Sequence, residues 1–99
     1  MDTVYFTCKE LTYSDHAVIQ MFKRNISTEE IDKIIKFGEI IADYPNDKPF
    51  PSCLLLGIVN SRPLHVVIAI NKKENSCVII TAYKPDPNIW DDSFKSKIQ

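Results

Sequence analysis

Glycine is nearly missing from this chain, with two in 99 residues, beside one tryptophan and two histidines. A phosphate-cradling glycine loop and a GxSxG nucleophile elbow both need glycines at close spacing, so both are excluded. No apolar run approaches the roughly 20 residues that span a bilayer. The opening stretch MDTVYFTCKE also lacks the basic-then-apolar layout of a signal peptide, so a cytoplasmic protein with no membrane attachment is expected. The three cysteines, Cys8, Cys53 and Cys77, are far apart, odd in number and without a CxxC spacing. They are expected as core thiols rather than zinc or redox groups. Only two histidines exist and no local ligand pair is seen, so neither a metal nor a cofactor is expected. Positive charge is not in excess either: 12 Lys and Arg face 13 Asp and Glu, for a net charge of −1 and a pI near 6.1. A domain built to hold phosphate backbones usually carries a basic imprint, which leaves at most a local patch here.

The composition that remains, 44% apolar and 25% charged, is that of an ordinary globule. One domain over residues 1–99 is expected, with a core of about 10–90 and a weakly specified tail at 91–99. Glu10–Tyr13 reads as a short strand leading to Ser14, a good helix N-cap. Asp15–Arg24 follows as a helix with Ala17, Val18, Met21 and Phe22 on one side, and Asn25 is a plausible left-handed stop. Ser27-Thr-Glu-Glu30 has the spacing of a capping box, flanked by Ile26 and Ile31 as a hydrophobic staple. That second helix should bury Ile31, Ile34 and Ile35 and stop at Gly38.

From Glu39 the apolar period changes to two. Glu39–Tyr44 and Ser52–Asn60 read as strands around a proline-rich loop, and Asn60-Ser-Arg-Pro63 as a turn. Leu64–Asn71 and Cys77–Tyr83 then form a hairpin across the five residues Lys72–Ser76. With Asn71 opposite Cys77, Val67 falls opposite Thr81 and His65 opposite Tyr83. Leu64, Val66, Ile68 and Ile70 then share an apolar face with Val78, Ile80 and Ala82, while His65, Thr81 and Tyr83 share the other. The preceding strand has two registers, with either Ile58 or Val59 opposite Leu64. The first places Gly57 over His65 and leaves space above it. Trp90 is expected over the sheet edge. The resulting fold class is α+β: two N-terminal helices packed on a four- to five-stranded antiparallel sheet.

Metal-free cleavage of an RNA phosphodiester is the chemistry best matched to what remains. It needs a base, an acid and cations for the phosphorane charge. His16, His65 and Tyr83 are candidate proton-transfer groups. Arg24, Lys23, Arg62 and Lys84 are candidate phosphate partners, with Thr81 beside them on the sheet. His16, Gln20 and Arg24 are spaced to form one helix stripe, which is either a solvated face or one wall of a site. A nucleophilic Cys53 or Cys77 with histidine is also compatible, although both stand in apolar strands. The same polar face could instead serve a non-catalytic binding module, or His65 and Tyr83 could be a structural pair.

Several spaced motifs carry a family likeness: Tyr13-Ser-Asp-His-Ala17, Met21-Phe-Lys-Arg24, Gly38-Glu-Ile-Ile, Pro51-Ser-Cys-Leu-Leu, Arg62-Pro-Leu-His-Val66 and Thr81-Ala-Tyr-Lys-Pro-Asp-Pro87 with Trp90. Together they resemble a small bacterial domain of unknown function with distant similarity to RelE, BrnT and MqsR type toxins. The resemblance implies a compact RNase-like fold and a toxin-type endoribonuclease acting on RNA, alone or on the ribosome. It also implies silencing by a cognate antitoxin. His16, Arg24, His65 and Tyr83 fall in the motifs a catalytic site would use. Lys23, Arg62, Thr81 and Lys84 fall where RNA would be held.

Overall fold

The computed structural model describes residues 8–98. The signal-peptide reading rests on residues 1–10, of which 1–7 lie outside the described residues. Element order is β1 (Glu10–Tyr13), α1 (Asp15–Arg24), α2 (Thr28–Phe37), β2 (Glu39–Tyr44), β3 (Ser52–Val59), β4 (Arg62–Asn71) and β5 (Ser76–Tyr83). The sheet runs β1-β5-β4-β3-β2, with β4 in the middle. No described helix is long and apolar enough to cross a membrane.

Both helices start and stop where local chemistry directs. The Ser14 side chain accepts from the Ala17 N–H at 3.0 Å, and Asn25 ends α1 in the left-handed region at φ 56°. The capping box is formed: the Glu30 N–H donates to Ser27 Oγ at 3.1 Å, and the Ser27 N–H donates to Glu30 Oε1 at 2.9 Å. Helix α2 buries Ile31, Ile34 and Ile35 as expected. On α1 only Ala17 and Met21 are buried, while Val18 and Phe22 point to solvent. The helix therefore presents a narrower apolar edge to the core than the sequence suggested.

Both glycines serve one side chain. A Cβ on Gly57 would stand 2.5 Å from Ile34 Cγ1, and one on Gly38 would meet the backbone carbonyls of Ile34 and Leu56. Helix α2 can thus lie close on β3. Gly57 makes room for Ile34, not for His65.

The sheet departs from the expected all-antiparallel order. Strands β2 to β5 are antiparallel neighbours, but β1 pairs with β5 in parallel, Glu10 opposite Ser76 and Tyr13 opposite Ile79. Nothing local in a four-residue strand names a partner more than sixty residues away. Leu11 and Tyr13 pack against the core beside β5. A disulfide joins Cys8 to Cys77 where free thiols were expected, so the same edge is also held covalently.

Two turns are tighter than the sequence suggested. Asn60 and Ser61 both have positive φ, 53° and 65°, and close a two-residue hairpin with Val59 opposite Arg62. Gly57 therefore faces Leu64 and Leu56 faces His65, so neither expected register of β3 is adopted. At the other end Asn71 pairs with Ser76 rather than Cys77. A bulge between Val67 and Ile68 absorbs the shift, which restores Val67 opposite Thr81 and His65 opposite Tyr83. The bulge turns Ile80 outward and puts Ile79 in the core with Leu64, Val66, Ile68 and Ala82.

Arg62 ties the helices to the sheet. Its Nη2 donates to Glu30 Oε1 at 2.9 Å and to the Asn25 carbonyl at 2.6 Å, and its Nη1 to the Arg24 carbonyl at 3.2 Å. Asn60 Nδ2 donates to the other Glu30 oxygen at 3.1 Å. Burial works to raise the Glu30 pKa, but the bonds from Ser27, Arg62 and Asn60 and the Arg62 charge together hold it below the ordinary glutamate value.

Two outcomes follow for stability. Gly57→Ala should cost roughly 1–3 kcal/mol through overpacking against Ile34, read as a lower urea midpoint at unchanged slope. Arg62→Ala should cost about 1–3 kcal/mol, since it removes the cation from a buried carboxylate that keeps its bonds from Ser27 and Asn60 and takes the donor from two helix-end carbonyls, and Arg62→Lys should recover little of it. Because the folded Glu30 pKa is lowered, its contribution is full above the ordinary glutamate range and is lost as pH falls through the lowered value. Denaturation midpoints measured against pH should therefore fall less steeply below that range in Arg62→Ala than in the wild type.

Candidate functional site

His65 lies on β4 between Leu64 and Val66, which both face the helices, so alternation turns its ring to the opposite side of the sheet. There it meets Tyr83 across the β4–β5 pair, as the hairpin register requires. The ring is nevertheless fully buried, because the segment after β5 folds back over it. Trp90 stands edge-on to the imidazole at 4.5 Å between centroids and 89°, and Tyr83 at 5.2 Å and 72°.

The hydrogen bonds fix the tautomer. Nε2 lies 2.8 Å from the Phe94 carbonyl oxygen, which can only accept, so Nε2 carries the proton. Burial pushes the His65 pKa below its ordinary value, and the bond to Phe94 only partly opposes that. The ring is therefore neutral at pH 7, and Nδ1 accepts from the Tyr83 hydroxyl at 3.2 Å. Burial, with the neighbouring Tyr44 phenol a smaller cause, raises the Tyr83 pKa, so the phenol keeps its proton. Both ring nitrogens are occupied within the chain.

The covering segment is built from tight turns and a short bridge. Asp86 and Asp91 each start a tight turn, accepting from the Asn88 N–H at 2.8 Å and the Ser93 N–H at 3.0 Å. Trp90 and Lys97 form a bridge, and the Ile98 N–H donates to the Ile89 carbonyl at 2.8 Å. Lys95 pairs with Glu39 of β2 at 3.1 Å. The strap thus reaches from β5 across the middle of the sheet to its far edge, and Trp90 lies over the central strand rather than the edge. Sequence reasoning missed Phe94 because it contributes a carbonyl, which no side-chain pattern reveals.

The remaining candidates are scattered. Thr81 is half-buried on the face of Tyr83, and Lys84 is exposed just beyond it. His16, Lys23 and Arg24 are exposed on α1, across the sheet from His65, and Arg24 Nε donates to Gln20 Oε1 at 3.3 Å. Arg62 spends both terminal nitrogens on Glu30 and helix-end carbonyls. No single cleft therefore collects His16, Arg24, His65 and Tyr83. Neither cysteine considered as a nucleophile joins His65: Cys77 is in the disulfide. Cys53 is buried in the core on the helix side, and burial with the nearby Asp43 charge pushes its thiol up to about 11. Among the described residues no three His, Cys, Asp or Glu side chains converge as metal ligands.

A family model described as a domain of unknown function, DUF4258, matches residues 13–84. No curated protein and no solved structure matches the chain. None of these comparisons links it to the RelE, BrnT or MqsR toxins, so that likeness stands on the sequence motifs alone. The matched stretch holds His65, Tyr83 and every strand but part of β1, while the strap from Pro85 onward lies beyond it.

The lowered His65 pKa sets a pH dependence for the strap. A neutral buried histidine stabilises the docked state fully above the ordinary histidine value of 6.5, and the contribution is lost as pH falls from there through the depressed folded value. Trp90 fluorescence should red-shift on acidification in that window. His65→Gln, which can still donate to Phe94 and accept from Tyr83 but cannot titrate, should flatten the step.

Proposed function

Because the chain belongs to the DUF4258 family of unknown function, we propose its role from its own geometry: a non-catalytic domain that works by association with protein surfaces. The carrying observation is that His65, the sequence's best proton-transfer group, is fully buried with both nitrogens bonded inside the chain. A general base must reach a substrate proton directly or through one water. The cations an RNA-cleaving site would need are divided between two sides of the sheet, and Arg62 is engaged in holding the helices. The near-neutral charge agrees with a surface that is not built around a phosphate backbone. Several large apolar side chains stand in solvent instead, Phe22 and Phe37 foremost.

One observation favours a second reading. The strap that seals His65 lies outside the family match, so a displaced strap would uncover His65, Tyr83 and Thr81 with Lys84 at the rim. On that reading the protein is a latent, metal-independent endoribonuclease of the toxin type, with RNA as substrate and an antitoxin as partner. Strap loosening separates the two. Purified wild type and Trp90→Ala, which weakens the cover while keeping the whole chain, are incubated with single-stranded and structured RNA in chelator. Intact RNA in both cases is the expected result. Cleavage by Trp90→Ala that disappears on adding His65→Ala would overturn the association reading and establish the ribonuclease.

A further inference from the structure

The helices do not reach every part of the sheet. Helix α2 sits on β3 where Gly57 admits Ile34, and α1 packs on β5. At the other end of β3 a cleft of about 440 Å³ opens among β2, β3 and β4, and no helix residue lines it. That volume is in the ordinary range of small-ligand sites. Its floor is apolar, because the half-buried Ile40 and Ile70 and the buried Cys53 all lie on the core side of the sheet. Pro45 and Pro51 of the β2–β3 loop form one wall. The loop is held in place, with Ser52 Oγ donating to Asp47 Oδ2 at 2.5 Å and the Ile70 N–H to the Pro51 carbonyl at 2.9 Å. The cleft is therefore preformed.

Two opposite charges border it, Asp43 on β2 and Lys72 just past β4. Asp43 pairs with Cys53 across β2–β3, so its carboxylate stands on the cleft side, near enough to help raise the Cys53 thiol. Cys53 in turn pairs with Ile68, four residues before Lys72. Two strand spacings and four residue rises put the Cα atoms of Asp43 and Lys72 about 16 Å apart. Side chains rise from a sheet rather than lie along it, so the two charges stand on the order of 10 Å apart. They are not paired with each other.

An apolar floor between a carboxylate and an ammonium selects a molecule of complementary order: ammonium, apolar body, carboxylate. In a free amino acid both charges sit on one carbon and cannot reach both rims. An extended chain gains about 3.3–3.6 Å per residue, so roughly three residues span the distance. A fatty acid would meet only Lys72 and would lay its tail against the Asp43 carboxylate. The geometry points to a binding site for a short apolar peptide with both ends free, its ammonium on Asp43, its carboxylate on Lys72 and its side chains on Ile40, Cys53 and Ile70. This site goes beyond the association reading and does not depend on it.

The test is NMR titration of the full chain with trileucine, whose dissociation constant should be about 0.1–1 mM for so open a cleft. Backbone amide shifts should concentrate around Ile40, Cys53 and Ile70. Asp43→Asn should weaken binding roughly two- to fivefold, N-acetylation of the peptide should do the same, and the two together should cost no more than either alone. Lys72→Gln and amidation of the peptide's C-terminus should form a second such pair. Both side chains are exposed, so the variants keep the fold. Free leucine and octanoate should each bind about tenfold more weakly, or less. Shifts that are absent or lie away from the cleft would overturn the inference. So would losses that multiply where they should coincide, or leucine or octanoate binding as tightly as the tripeptide.

Discussion

Both helices are anchored through the carboxylate of Glu30. It closes the capping box of α2, receives Asn60 from the β3–β4 turn and receives Arg62 from β4. Arg62 in turn holds the last carbonyls of α1. The α1–α2 junction and the β3–β4 hairpin, thirty or more residues apart in the chain, are thereby brought to one point by the side chains of Glu30, Asn60 and Arg62. A buried carboxylate is tolerable only when its oxygens are bonded, and here both are. The helix pair owes its angle on the sheet to this junction and its closeness to Gly57 and Gly38, which let Ile34 settle on β3.

The sheet has a second layer on its other side, made of the strap rather than of helices. Its contacts differ in kind from the core. The helix side is aliphatic and dry, with Ile31, Ile34, Leu55, Val66 and Ile79 interlocked. The strap side is aromatic and polar, with an imidazole between a phenol, an indole and a carbonyl. A histidine in such a setting acts as a rigid neutral bridge, donating on one side and accepting on the other. The same atoms that suggest chemistry in the sequence are, in the folded chain, engaged in holding the cover down.

What was legible in the sequence was what local geometry decides. Ser14, Ser27, Glu30 and Gly38 mark the helices correctly, because capping is settled within four residues. The His65–Tyr83 pairing was legible for a weaker reason: two errors, a loop one residue shorter and a bulge at Ile80, cancel over that stretch. The core membership of Ile80 and Ile79 was accordingly exchanged. Contacts between distant segments left no such trace. The parallel partner of β1, the Cys8–Cys77 link, the carbonyls held by Arg62 and the carbonyl of Phe94 all depend on backbone positions or on residues far along the chain. A side-chain pattern cannot announce a backbone acceptor. The candidate site was thus legible as a pair of neighbours and not as a buried pair.

The position of β5 between β1 and β4 has a consequence for synthesis. Ser14 bonds to Ile80, 66 residues further on, and α1 packs on β5. Helix α2, by contrast, packs on β3, which follows it closely in the chain. As the polypeptide leaves the ribosome, α2 with β2, β3 and β4 can assemble while β5 is still unmade. The first strand and first helix must wait, with Ala17, Met21 and Leu11 uncovered, until almost the whole domain has emerged. The first strand and helix of the fold therefore dock late, only after β5, and a holdase that acts during translation has a natural foothold there.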